Sequence, residues 1–211
     1  MIVPLGDAAL LVRFADSLSD EANRRVLALA ASLAAEPVPG VIEVVPSLVS
    51  VLLRYDPRHS DPGMLAGEIG LRLHAAAPVA PSSSRAISVR FGGAAGPDLA
   101  EVAERLGLDE AEFVRRHNAT PLRVLTTGFA PGFVYCGFHP PELVLPRRDS
   151  VRQAVPAGSV LFAAGQTAIA ATEIPTGWHL IGRTGFRNFA PHRTPPTHLA
   201  PGDTIRFEVE P

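Results

Sequence analysis

The chain has 211 residues, 46% of them hydrophobic, with a mean hydropathy of +0.18; this excludes a disordered polymer and allows one large domain or two small ones with sizeable cores. Its formal net charge is −2 and no polybasic arm occurs, so neither a nucleic-acid nor an anionic-membrane partner is expected. All 19 basic residues are Arg, and a chain without lysine holds no Walker A lysine, Schiff base, Ser-Lys amidase pair or biotinylated lysine of its own.

The single Cys excludes an internal disulfide and a Cys-type zinc site. The N-terminus lacks a basic and then apolar leader, and no apolar run approaches the roughly 18 residues that cross a bilayer, so a cytoplasmic protein is expected. The 18 Gly and 21 Pro point to many turns, hence many strands.

In chain order, residues 8–14 read as a strand. Ser19 or Asp20 caps a helix whose apolar face is Ala22, Val26, Leu29, Ala30 and Leu33, and which Pro37 to Gly40 stop. Residues 41–45 and 48–55 read as a hairpin turning at Pro46-Ser47, the second strand alternating Val49, Val51, Leu53 and Tyr55. Asp61-Pro62 opens a second helix with Leu65, Ile69 and Leu73 on one side. The uncharged Ala/Pro/Ser-rich stretch 75–84 marks a linker, dividing the chain into domains at 1–78 and 85–211.

Beyond it, residues 85–91 alternate as a strand, and two short helices flank Gly107. A helix-turn-helix reading of that pair fails on charge, because six acidic residues oppose Arg105, Arg115 and Arg116 where phosphates need a basic face. From Pro121 onward short β-rich pieces at 122–126, 159–163, 167–172, 178–181 and 204–209 alternate with Pro/Gly turns, the pattern of a barrel or sandwich. The fold class expected is therefore α+β. Residues 127–138 (Thr-Gly-Phe-Ala-Pro-Gly-Phe-Val-Tyr-Cys-Gly-Phe) read as a shaped loop carrying bulky rings.

Gly128 to Tyr135, Pro146-Arg147-Arg148, Val155-Pro156-Ala157-Gly158-Ser159-Val160, Gly165-Gln166-Thr167, Gly177-Trp178 and Ile181-Gly182-Arg183-Thr184, in this order, resemble the family of allophanate hydrolase subunit 1, the 5-oxoprolinase B subunit and KipI-like proteins. Pro4 to Leu10 and Arg24 to Leu29 resemble its N-terminal domain, so the likeness covers nearly the whole chain. The resemblance implies a ferredoxin-like α/β domain followed by a cyclophilin-like β-barrel, into which the two helices flanking Gly107 read as a helical hairpin insertion. It also implies a partner of the allophanate hydrolase subunit 2 or 5-oxoprolinase C-type kind, a third subunit in 5-oxoprolinases, and ATP and any biotin handled by those partners. This chain departs from the family pattern at Ala164-Gly165-Gln166-Thr167-Ala168-Ile169-Ala170-Ala171, usually Gly-Gly-Gln-Thr-Gly-Ile-Tyr-Pro, and at Cys136-Gly137-Phe138.

Arg147, Arg148 and Arg183 suit a carboxylate or carbamate because a guanidinium fork matches two oxygens; Arg148 and Arg183 are favoured, against ordinary ion pairing as the alternative. Gln166 and Thr167 offer an amide and a hydroxyl, or else stabilise a turn. Glu173 is a candidate general base if partly buried, and His117 a candidate acid/base that matches a family His or simply complements a helix C-terminus. Phe129, Phe133, Tyr135 and Trp178 complete the expected substrate surface. Cys136 reads as a small buried hydrophobe rather than a nucleophile, and the remaining histidines lack metal-motif spacing, so no metal site is expected.

Two function classes follow. One is a non-autonomous subunit of a heteromeric amide hydrolase, opening 5-oxoproline or cleaving a urea-derived amide at a site shared with its partner. The other is a regulator that binds and inhibits a histidine kinase. The first expects solvent-exposed aromatics in the 128–138 loop.

Overall fold

The computed structural model describes residues 1–75 and 83–210, so most of the expected linker lies outside the described residues. The chain divides into two compact units, Met1–Ala80 and Pro81–Pro211.

The first unit is a four-stranded antiparallel sheet of β1 (Ile2–Pro4), β2 (Ala9–Arg13), β3 (Val41–Pro46) and β4 (Ser50–Tyr55), in the order β1-β2-β4-β3, with helices α1 (Asp20–Ala35) and α2 (Pro62–Ala75). Ser19 caps α1 by accepting a hydrogen bond from the amide of Ala22 at 3.2 Å, and Asp61 accepts from Met64 at 2.9 Å at the start of α2. The apolar stripes enter one core: Val26, Leu29 and Leu33 of α1 and Leu65 and Ile69 of α2 pack with Leu10, Val12, Val51 and Leu53. The hairpin turns one residue later than the sequence indicates, at Ser47 to Val49. There the buried Asn23 side chain donates to the carbonyl of Leu48 at 2.9 Å. Strand β1, three residues ending on Pro4, is too short to carry a period-2 signal; it forms by pairing along β2.

The second unit is a closed seven-stranded barrel: β5 (Ser84–Phe91), β6 (Leu122–Thr127), β7 (Val134–Gly137), β9 (Ser159–Ala163), β10 (Gln166–Ile169), β12 (His179–Arg183) and β13 (Thr204–Val209), closing in the order β10-β7-β6-β13-β5-β12-β9. The pair β8 (Arg152–Val155) and β11 (Ile174–Thr176) forms a separate ribbon. Strands β7 and β11 correct the sequence reading: the Gly/Pro-rich 127–138 stretch ends as a barrel strand, and residues 174–176, which fall in the gap between the expected β-rich pieces 167–172 and 178–181, are ribbon. In both, cross-strand pairing overrides local turn chemistry.

Period-2 alternation sorts side chains into two cores. Val89, Val124, Val134, Cys136, Val160, Phe162, Ile169, Ile181 and Phe207 fill the barrel, joined by Leu99, Val102, Ala103 and Phe113 from α3 (Leu99–Arg105) and α4 (Glu110–His117). Phe133, Leu161, Ala163, Ala168, Ala170, Trp178 and Leu180 face outward and are covered with Val155 and Ile174 of the ribbon. At Gly158 (φ +86°) a side chain would collide with the Thr184 carbonyl oxygen and the Arg187 guanidinium, so the β8–β9 turn requires glycine.

Candidate functional site

Three polar side chains meet inside the barrel. Register places Thr167 of β10 opposite Cys136 of β7 and Phe162 of β9, which turns its hydroxyl inward, and α4 ends so that His117 points to the same place. His117 Nε2 lies 2.7 Å and His139 Nε2 2.8 Å from Thr167 Oγ1, and His117 Nδ1 lies 2.7 Å from Asn118 Oδ1. The two imidazoles are 4.6 Å apart and surrounded by Phe91, Phe113, Phe162 and Phe207.

Burial drives both rings to the neutral form. His117 is pushed down to about 4, the Asn118 contact opposing that shift, and His139 to about 2 by burial with a smaller repulsion from His117. In neutral rings the order of hydrogens is then fixed. Asn118 Oδ1 accepts from His117 Nδ1–H, which leaves the bare His117 Nε2 to accept from the Thr167 hydroxyl, and Thr167 accepts from His139 Nε2–H. Each of these contacts pairs a donor with an acceptor, which is why an aromatic interior tolerates them. Cys136 sits beside them, buried and with its thiol pushed well up by burial, as a hydrophobe.

The outer face of the same strands carries a row of rings. Phe129 and Phe133 centroids are 5.5 Å apart, Phe133 and Tyr135 4.8 Å, Tyr135 and Trp178 5.9 Å, and the Arg147 guanidinium stands 5.7 Å from the Trp178 ring. The row is buried in the middle and open at both ends. Phe133 and Trp178 are 3% and 5% exposed, Phe129 is 70% exposed, Tyr135 is half-buried and Arg147 is exposed. Phe138, the third ring expected in the loop, is half-buried beyond β7.

Arg148 points elsewhere. Its Nη1 bonds Asp98 Oδ1 at 2.8 Å; Arg152 Nη2 bonds the same oxygen at 2.7 Å, and Asp98 Oδ2 accepts from the Leu180 amide at 2.7 Å. The guanidinium favoured for a ligand is thus engaged by a carboxylate of its own unit, while its neighbour Arg147 forms no ion pair among the described residues. Arg183 lies at the end of β12 in a polar cavity, apart from the rings. Gln166 is buried beside Thr167 with its Nε2 unpartnered. Glu173 is exposed before β11 and forms no ion pair among the described residues; it lacks the partial burial that the sequence reading required of a base.

Comparison with known proteins gives the family. A model of the carboxyltransferase domain, subdomain C and D, matches residues 1–199. The chain belongs to this carboxyltransferase-domain family. Within the family, it is 34% identical over 98% of its length to the 5-oxoprolinase B subunit of Bacillus subtilis (strain 168), spanning 91% of that protein. It is 36% identical over 96% of its length to the 5-oxoprolinase B subunit of Escherichia coli O157:H7, spanning 93% of that protein. Among solved structures, TTHA0988 matches all of this chain with a TM-score of 0.83 and 36% identity, this chain spanning 40% of it. The Kluyveromyces lactis urea amidolyase matches 99% of this chain with a TM-score of 0.77 at 16% identity, a likeness of fold, this chain spanning 15% of it.

The sequence reading named His117, Thr167 and the rings as candidates, which the structure places in these two clusters, and did not name Asn118, Asp98, Arg152 or His139 as site residues. His117 and His139 are 22 positions apart and no motif spacing links the two; the fold brings both to Thr167. Asp98 had a legible signal, an acidic residue just before a short helix, but nothing local names its partners 50 and 54 residues later.

Proposed function

We propose that this chain is the B-type subunit of a multi-subunit 5-oxoprolinase, which opens 5-oxoproline to glutamate with ATP at a site completed by a partner. The observation that carries the reading is end-to-end identity of 34% and 36% with two proteins named as 5-oxoprolinase B subunits. A lysine-free chain supplies no P-loop lysine, so ATP, and biotin if any is used, falls to a partner of the 5-oxoprolinase C-type or allophanate hydrolase subunit 2 kind and to a third subunit. In this reading the first unit is a ferredoxin-like domain, the second a cyclophilin-like barrel, and the assembly is cytoplasmic.

The outer ring row supports a shared site. Phe129 and Tyr135 offer apolar surface, and Arg147, beside Trp178 and in no ion pair among the described residues, offers a fork for the carboxylate of 5-oxoproline or its product. Arg148 serves this site as a positioning residue, because its bond to Asp98 fixes the segment that carries Arg147. His117 and Thr167 likewise position the barrel strands from within, and Glu173 is the carboxylate this chain would present as a general base once a partner covers it.

Co-expression with a C-type partner tests the reading. A stable complex by size exclusion with light scattering is expected, and it should be lost when Phe129 and Arg147 are both replaced by Ala. Two species that elute separately would end the shared-site proposal.

A further inference from the structure

The polar cavity at the end of β12 has a volume of about 670 Å³ and is lined by Arg90, Arg183, Arg187 and Glu210 together with the turn Gly92-Gly93-Ala94-Ala95. Three guanidinium groups and one carboxylate line it, a surplus of two positive charges on a chain whose overall charge is −2.

Two of the three guanidinium groups are held in place before any ligand arrives. Arg90 Nη2 donates to Glu210 Oε1 at 3.1 Å, and Arg187 Nη1 donates to the Thr184 carbonyl at 3.2 Å while lying against Gly158, where a side chain would displace it. Arg183 is exposed and forms no ion pair or hydrogen bond through its side chain among the described residues. The facing turn adds neutral donors. Gly92 and Gly93 both have left-handed backbone (φ +69° and +52°), and the amides of Gly93 and Ala94, both exposed, donate to no backbone carbonyl among the described residues.

A single carboxylate is neutralised by one fork, and Glu210 already provides one. Convergent forks with a surplus of two charges, beside free amides, match a doubly charged tetrahedral oxyanion better than a monocarboxylate. We propose that this cavity is a binding site for a small phosphate monoester, with the phosphoryl group between Arg183, Arg187 and the Gly93-Ala94 amides. The volume falls in the range of about 300–1,000 Å³ that takes a drug-sized ligand, leaving room for an organic body behind the phosphoryl group. The site is separate from the ring row and stands whether or not the 5-oxoprolinase reading holds.

The test is calorimetric titration of the full chain, at low ionic strength, with phenyl phosphate, inorganic phosphate, glutarate and acetate. Phenyl phosphate should bind at least about tenfold more tightly than acetate or glutarate, and Arg183→Gln should weaken it by about tenfold, the effect of losing one charged hydrogen-bonding group. Inorganic phosphate binding more weakly than the ester supports an organic ligand; equal binding of the two would overturn the ester and leave free phosphate as the occupant. Should Arg187→Gln fail to fold, Arg183→Gln still decides, because its side chain holds nothing else. No binding of phenyl phosphate, glutarate binding as tightly, or an unchanged affinity in Arg183→Gln would each overturn the proposal.

Discussion

Replacing Thr167 by Val tests the buried polar chain most sharply, because the shapes match and only the hydroxyl is lost. Two atoms lose their partner at once, His117 Nε2 at 2.7 Å and His139 Nε2 at 2.8 Å, in a space without solvent. Each unsatisfied buried group costs about 1–3 kcal/mol. The added methyl recovers roughly 0.8 kcal/mol of transfer energy. The net loss is therefore on the order of 2–4 kcal/mol, which at roughly 2–4 °C per kcal/mol lowers Tm by about 5–15 °C. Differential scanning calorimetry at about pH 7.5, above the ordinary histidine range, measures it, and Thr167→Ser should restore most of the loss by returning the hydroxyl. A Tm within about 2 °C of the parent for Thr167→Val, less than one kcal/mol is worth, would refute the argument that this hydroxyl satisfies both rings.

The same rings set a pH dependence. In the folded chain they stay neutral down to about 4 for His117 and about 2 for His139, whereas unfolded histidine protonates near 6.5. Below about pH 6.5 the unfolded state binds the extra protons, so stability is complete above that value and falls as pH drops. The loss between about pH 7 and pH 5 should be roughly 2 kcal/mol per histidine, measurable by urea unfolding. Asp98→Ala leaves Arg148 and Arg152 facing a partly buried void and should cost about 3–5 kcal/mol in the same assay, while Arg147→Ala should stay within about 0.5 kcal/mol of the parent. Phe129→Ser, at a position 70% exposed, should leave stability unchanged yet weaken association with a C-type partner by about tenfold or more in a binding titration.

Where local chemistry decides, the elements could be read directly. Ser19 and Asp61 act as caps, the α1 stripe of Val26, Leu29 and Leu33 is buried, and the β-rich pieces at 159–163 and 204–209 became barrel strands. Where pairing decides, they could not. Val134 to Gly137 hold two good strand formers, Val134 and Tyr135, but sit among Gly and Pro residues that read as a loop; they form a strand between β6 and β10 because all four pair on both sides. The site followed the same division. Residue chemistry singled out the rings, His117 and the arginines, but whether Arg147 or Arg148 stays free depends on Asp98, about 50 residues away in sequence. His139 entered the polar chain only because the barrel register brought it to Thr167.

If this chain completes an ATP-dependent 5-oxoprolinase, the reconstituted complex releases glutamate from 5-oxoproline only when the chain is present. That release is to be measured with the parent chain, with the chain omitted, and with a chain carrying Phe129→Ser and Arg147→Ala. Release that requires ATP and the parent chain, and that falls at least about tenfold with the double variant, is the expected result. Release that is unchanged when the chain is omitted, or a complex that forms and yields no glutamate, would contradict it.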